Sequence, residues 1–80
     1  MSLYFFDTRD DDDFIQDDMG VECTDLDAAK IEAARGLAEL ARDVLPGSGR
    51  RELAIEVRDD RGPALIAKMT FDAVLLRAGG

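Results

Sequence analysis

Residues 24–49, TDLDAAKIEAARGLAELARDVLPGSG, decide the fold of this 80-residue chain. Apolar side chains recur there every three or four residues, which is the spacing of one face of an α-helix. That face consists of Leu26, Ala29, Ala33, Leu37, Leu40 and Val44. Thr24 or Asp25 can cap the first turn, and the Pro-Gly-Ser-Gly segment 46–49 ends the last one. The sequence therefore predicts one amphipathic helix of about 20 residues, whose alanines allow a close approach to a sheet.

The segment after the helix predicts a β-hairpin. Leu53, Ile55 and Val57 alternate with polar or small residues, and apolar residues alternate in the same way over 65–71. This period of two is typical of a strand with one buried face. The turn between the strands, residues 59–62, is Asp-Asp-Arg-Gly, in which the glycine can take a positive φ.

The segment before the helix predicts two further strands. Residues 3–8 form a short apolar and aromatic run that ends at a charge cluster. The pattern leaves two inward faces open, Leu3 with Phe5 or Tyr4 with Phe6. A second strand is predicted within residues 14–23, with a bend at Met19-Gly20.

Together these elements predict a single α+β domain over residues 1–80. It is a two-layer sandwich in which one amphipathic helix covers a four-stranded antiparallel sheet, in the order β-β-α-β-β. A chain of 80 residues buries a smaller share of its surface than a longer chain does. Association with a second copy would bury more, so a homodimer is also predicted.

The acidic residues are concentrated in the first third of the chain. The net charge is −8, and residues 1–27 contain ten acidic residues against the single basic residue Arg9. Nucleic acids and anionic lipids are bound through clustered Lys and Arg, and a chain with this acidic balance would be repelled by them. The charge distribution therefore argues against a nucleic-acid partner and against a membrane partner.

The acidic run is the one candidate site in the sequence. We predict that it binds a basic protein partner, through Asp10, Asp11, Asp12, Asp13, Asp17 and Asp18. An alternative is a weak site for a divalent cation or small ligand, because a cation relieves repulsion among carboxylates. A calcium loop starting at Asp11 fails, because Ile15 and Gln16 occupy positions that need an oxygen ligand and a glycine. In a third interpretation, the aspartates only keep aggregation-prone strands soluble.

Catalytic chemistry finds little support in the sequence. The chain has no histidine, which removes the commonest general base and the Ser-His and Cys-His pairs. The one cysteine, Cys23, lies among carboxylates that disfavour a thiolate, so it is interpreted as a packing residue. The PGSGRR segment 46–51 follows a helix instead of opening one, which does not suit a phosphate site. We predict a cytoplasmic protein that is not an enzyme and has no cofactor.

Three stretches in this order resemble a family of small bacterial proteins classed as a domain of unknown function. They are YFFDTRDDDDF (4–14), DDMGVECTDLDAAKIEAARGLAELARDVL (17–45) and RRELAIEVRDDRGPALIAKMTF (50–71). The family has no established activity, so the resemblance implies no functional residue. Members often have a glycine in the first acidic turn, where this chain reads DDDDF. The layout of a strand pair followed by a helix is also similar to small antitoxins of the HicB kind, an analogy that implies a binding role.

Overall fold

The computed structural model describes residues 1–78, which form five strands and one helix in the order β-β-β-α-β-β. The elements are β1 (Ser2–Asp10), β2 (Asp13–Ile15), β3 (Val21–Cys23), α1 (Leu26–Val44), β4 (Arg50–Asp59) and β5 (Gly62–Asp72). The α+β class and the antiparallel sheet agree with the prediction. The predicted count of four strands is wrong, because the predicted second strand is divided into β2 and β3.

The sheet has the strand order β2-β1-β4-β5, and β3 pairs with the same edge of β1 as β2 does. β2 lies opposite the end of β1 at Thr8 to Asp10, and β3 lies opposite its start at Ser2 to Tyr4. The chain leaves the edge of the sheet between them, where Gly20 has a φ of 75°. The bend predicted at Met19-Gly20 is therefore present, and it interrupts the strand.

Helix α1 begins and ends where its capping residues predict. The Asp25 carboxylate accepts a hydrogen bond from the Ala28 amide at 2.8 Å, which identifies Asp25 as the N-cap. The helix runs for 19 residues to Val44 and is followed by Gly47, whose φ is 87°. No helix within residues 1–78 has both the length and the apolar character that crossing a membrane requires.

The core lies between α1 and one face of the sheet. Ala29 and Ala33 are fully buried against β4, whose Leu53, Ile55 and Val57 are at most 4% exposed. On β1 it is Tyr4 and Phe6 that pack into this core, which settles the two inward faces left open by the sequence. Along the predicted helical face, Ala29 and Ala33 are fully buried and Leu37, Leu40 and Val44 are partly buried, whereas the first member, Leu26, is 45% exposed.

The β4–β5 hairpin agrees with the prediction in its turn and in its inward face. Asp59 pairs with Gly62 across a two-residue turn, and Gly62 has a φ of 113°. Leu65 and Ala67 pack against the core from β5. After β5 the chain is exposed, with Val74 at 72%.

Candidate functional site

The six aspartates of the predicted partner-binding surface lie in two separate places. Asp10 to Asp13 form the turn between β1 and β2, whereas Asp17 and Asp18 lie in the loop between β2 and β3. That loop lies beside Phe6 in the middle of β1. Phe6 and Asp10 are four positions apart along β1, a distance of roughly 13 Å. The acidic run of the sequence is therefore not one surface in the structure.

The turn between β1 and β2 is tight although it contains no glycine. Asp10 pairs with Asp13 across Asp11 and Asp12, and Asp11 takes a left-handed φ of 52°. Aspartate tolerates this region better than most residues. The Asp11 amide donates to the Glu52 carbonyl at 2.8 Å, and the Glu52 amide donates to Asp11 Oδ1 at 2.8 Å. These bonds to β4 hold Asp11 in place.

Asp10 forms a salt bridge with an arginine of β4. Arg51 donates from Nε to Asp10 Oδ1 at 2.7 Å and from Nη2 to Oδ2 at 2.9 Å, the two-pronged arrangement that favours arginine over lysine. The hydrogen bonds and charge of Arg51 lower the pKa of Asp10, although partial burial opposes this. Asp10 therefore fixes the turn to β4 and is not available to a partner.

The side chain of Asp17 hydrogen-bonds to the edge of β1 at a point where no strand pairs with it. Phe6 lies in the gap between the segments of β1 that pair with β2 and with β3, and continuing the β2 register would place Asp17 opposite it. The Phe6 amide donates to Asp17 Oδ2 at 3.0 Å. Asp17 Oδ1 accepts from the amides of Met19 at 3.0 Å and Gly20 at 3.2 Å. The side chain thus supplies the acceptor that a neighbouring strand would supply.

The pKa of Asp17 reflects this position. Burial alone would raise it, but the amide hydrogen bonds from Phe6, Met19 and Gly20, together with the charge of Arg58, lower the pKa below its ordinary value. The carboxylate is therefore stabilised in its charged form by the fold.

Asp7 and Arg58 form a buried link that the sequence analysis missed. Asp7 is 6% exposed, and its Oδ2 accepts from Arg58 Nε at 2.9 Å. Asp7 Oδ1 accepts from the Asp17 amide at 2.9 Å, and Arg58 Nη2 donates to the Asp17 carbonyl at 2.9 Å. Asp7 and Arg58 therefore hold the backbone of Asp17. The available signal was an acidic residue directly after the apolar run of residues 3–6 in the same strand.

On the sheet face away from α1, two arginines contact both an aromatic ring and a carboxylate. The Arg58 guanidinium lies 4.5 Å from the centre of the Phe5 ring. Arg9 lies 4.7 Å from the centre of the Phe14 ring and donates from Nε to Glu56 at 2.7 Å. Asp7 and Glu56 of this face thus each have an arginine partner.

Three of the predicted aspartates keep accessible carboxylates. The residues Asp12, Asp13 and Asp18 are exposed, and their side chains make no hydrogen bond or ion pair within residues 1–78. Asp11 is also exposed, but it accepts from Glu52 and lies 3.6 Å from Arg51. Asp12 and Asp13 share the β1–β2 turn, and Asp18 lies apart from them.

Within residues 1–78, no group of three or more His, Cys, Asp or Glu side chains is placed to hold a metal ion. Cys23, the last residue of β3, is a buried free thiol in the core that includes Ala29 and Ala33 of α1. Burial, together with the charges of Glu32 and Asp25, raises its pKa. This direction agrees with the interpretation of Cys23 as a packing residue.

Comparison with known proteins identifies the family. No curated protein and no solved structure matches the chain, so the analogy with HicB-type antitoxins has no support. A family model described as a domain of unknown function (DUF6894) matches residues 3–71, a range that includes all five strands except their outermost residues, Ser2 and Asp72. The chain therefore belongs to the family described as domain of unknown function DUF6894.

Proposed function

We propose that this protein is a non-enzymatic interaction module that presents the β1–β2 turn to a basic protein partner. The observation that carries the proposal is the contrast between Asp10, which is occupied by Arg51, and Asp12 and Asp13, which remain exposed beside it. Carboxylates of this kind attract a basic surface and increase the rate of encounter.

The anchoring of the turn supports the same proposal. Asp10 and Asp11 are hydrogen-bonded to Arg51 and Glu52 of β4, so the backbone that carries the exposed carboxylates is fixed before a partner arrives. A pre-ordered loop loses less conformational entropy on binding than a flexible one. Asp18 lies on the separate loop and would contribute only to a partner that covers both places.

The chemical inventory supports a role without catalysis. The chain has no histidine, and its one thiol is buried with a raised pKa. A free buried thiol suits a reducing compartment, and we place the protein in the cytoplasm.

Binding of a fluorescent lysine-rich peptide tests the proposal, with the peptide standing in for the basic partner. Asp12→Asn combined with Asp13→Asn should weaken binding roughly 2- to 30-fold, since each exposed charge pair contributes modestly. The loss should shrink as salt is added. Fluorescence anisotropy at several salt concentrations measures both effects.

The matched control removes two exposed aspartates elsewhere. Asp27 lies in the first turn of α1, and Asp60 lies in the β4–β5 turn at the opposite end of the sheet from the β1–β2 turn. Asp27→Asn with Asp60→Asn gives the same net charge as the test variant and should retain nearly wild-type affinity. Equal losses in the two double variants would mean that only the net charge matters, and the proposed surface would be wrong.

A further inference from the structure

The outer edge of β5 carries a row of backbone groups without a partner strand. β5 is 11 residues long, and no strand among residues 1–78 pairs with its outer edge. The opposite edge of the sheet holds only the three-residue strands β2 and β3, with Asp17 between them. β5 is therefore the one long open edge in the described part of the chain, and such an edge is a template for another strand.

The hydrogen-bond pattern shows which residues of β5 face outward. The Asp11 amide bonds to the Glu52 carbonyl, so the even-numbered residues of β4 bond to β1 and the odd-numbered ones bond to β5. The bond from the Ala73 amide to the Gly49 carbonyl continues that alternation. The outward-facing amides and carbonyls of β5 therefore belong to Ile66, Lys68, Thr70 and Asp72.

We propose that two copies of this chain pair antiparallel through β5, with the two-fold axis at Thr70. This register places Lys68 opposite Asp72 of the second copy and Thr70 opposite Thr70 of the second copy. Extending the ladder by two residues places Ile66 opposite Val74 of the second copy. Both are exposed apolar residues, at 63% and 72%.

Charge complementarity selects this register over its neighbours. A two-fold axis at Lys68 would place two lysines opposite each other, and an axis at Asp72 would do the same for two aspartates. Like charges directly opposite are destabilising. An axis at Ala67 or Met69 would leave Lys68 opposite Ile66 or Thr70, without an ion pair. Only with the axis at Thr70 do both charged residues of this edge, Lys68 and Asp72, lie across from a residue of the opposite charge.

Reversing the charges tests the register by sedimentation equilibrium. The wild-type chain should be a dimer at sub-millimolar concentration. Lys68→Asp alone and Asp72→Lys alone each create two like-charge pairs and should weaken the dimer roughly 10- to 100-fold. The double variant, Lys68→Asp with Asp72→Lys, restores both ion pairs in reversed order and should recover the dimer. Circular dichroism of each variant checks that the monomer remains folded.

A cysteine at the axis provides an independent test. In a Cys23→Ala background, Thr70→Cys should form a disulfide-linked dimer under mild oxidation, because directly opposite Cα atoms are about 5.5 Å apart. Lys68→Cys is the matched control, since the two copies of residue 68 would be offset along the strands by roughly 13 Å.

Three results would overturn the proposal, which does not depend on the proposed acidic interface. A wild-type monomer at sub-millimolar concentration would exclude the pairing. A dimer unaffected by the single charge reversals would use another surface. If Thr70→Cys and Lys68→Cys formed disulfide-linked dimers equally well, the two copies would touch near β5 but would not pair in this register.

Discussion

Asp7→Asn should lower the free energy of unfolding by about 3 kcal/mol, which is a large share of the stability of a small domain. The Asp7 side chain is 8% exposed and bonds to Arg58, whose side chain is 32% exposed. An asparagine would leave the guanidinium without its counter-charge, and its single oxygen could accept from only one of the two donors, Arg58 Nε and the Asp17 amide. The partial exposure of Arg58 keeps the effect at the low end of what breaking a buried pair costs. Urea denaturation followed by circular dichroism measures the change.

Glu56→Gln is the matched control for this prediction. Glu56 lies directly opposite Asp7 on β4, and its own ion pair with Arg9 is between a third and a half exposed. Exposed ion pairs contribute little to stability, so this variant should denature close to the wild-type urea concentration. Equal destabilisation by the two variants would mean that burial of Asp7 does not set the strength of its link to Arg58.

Ala33→Leu should lower the free energy of unfolding by about 2–3 kcal/mol, because the added atoms have no space to occupy. Ala33 is 0% exposed and belongs to the core with Ile55 and Val57. The neighbouring turn of the helix is also close to β4, since a Cβ added at Gly36 would lie 3.9 Å from Ile55 Cδ1. The larger side chain must push α1 away from the sheet. Urea denaturation measures the loss.

Ala34→Leu makes the same chemical change on the exposed face of the helix. Leucine and alanine are both good helix formers, so this variant should stay near wild-type stability. If Ala33→Leu were equally tolerated, α1 would not lie on the sheet at the distance described above.

The regular parts of the fold could be predicted because their apolar residues are periodic. The spacing of Leu26 through Val44 indicated the helix, and the alternation of Leu53, Ile55 and Val57 indicated β4. Both patterns arise from burial of one face over many residues, so one irregular position does not hide them. Leu26 is such a position, since it fits the pattern but is half-exposed at the start of α1.

The edge of the sheet could not be predicted in the same way. β2 and β3 have three residues each, too few to show a period, and the break between them depends on the Asp17 carboxylate. In the sequence, Asp17 looks identical to Asp18, its exposed neighbour. What separates them is the position of the Phe6 amide, which a local pattern does not contain.

The surroundings of each aspartate in the acidic run could be predicted from the sequence only in part. The acidic run does contain the exposed Asp12 and Asp13, yet Asp10 and Asp17 are bound within the fold. The partners of these two residues are Arg51, which is 41 positions away, and Phe6. Contacts at such separations follow from the pairing of strands and not from the composition of a segment.

The aspartates of residues 7–18 therefore differ in what their carboxylates bind. Asp7, Asp10 and Asp17 hold the edge and the turn together, whereas Asp12 and Asp13 are exposed and are the carboxylates that we propose for a basic partner. Because its folded pKa is lowered, Asp17 contributes stability that is fully present above the unfolded aspartate value of about 3.9. That stability is lost as the pH falls through the folded pKa. Asp17→Asn should remove this part of the pH dependence.

Titration of Asp17 by NMR, with the Phe6 amide observed in the same spectra, tests the claim most directly. We expect the Asp17 carboxyl to titrate below the ordinary aspartate value, and we expect the Phe6 amide resonance to shift with it because the two share a hydrogen bond. An Asp17 that titrates at or above the ordinary value, with a Phe6 amide that does not respond, would contradict the account.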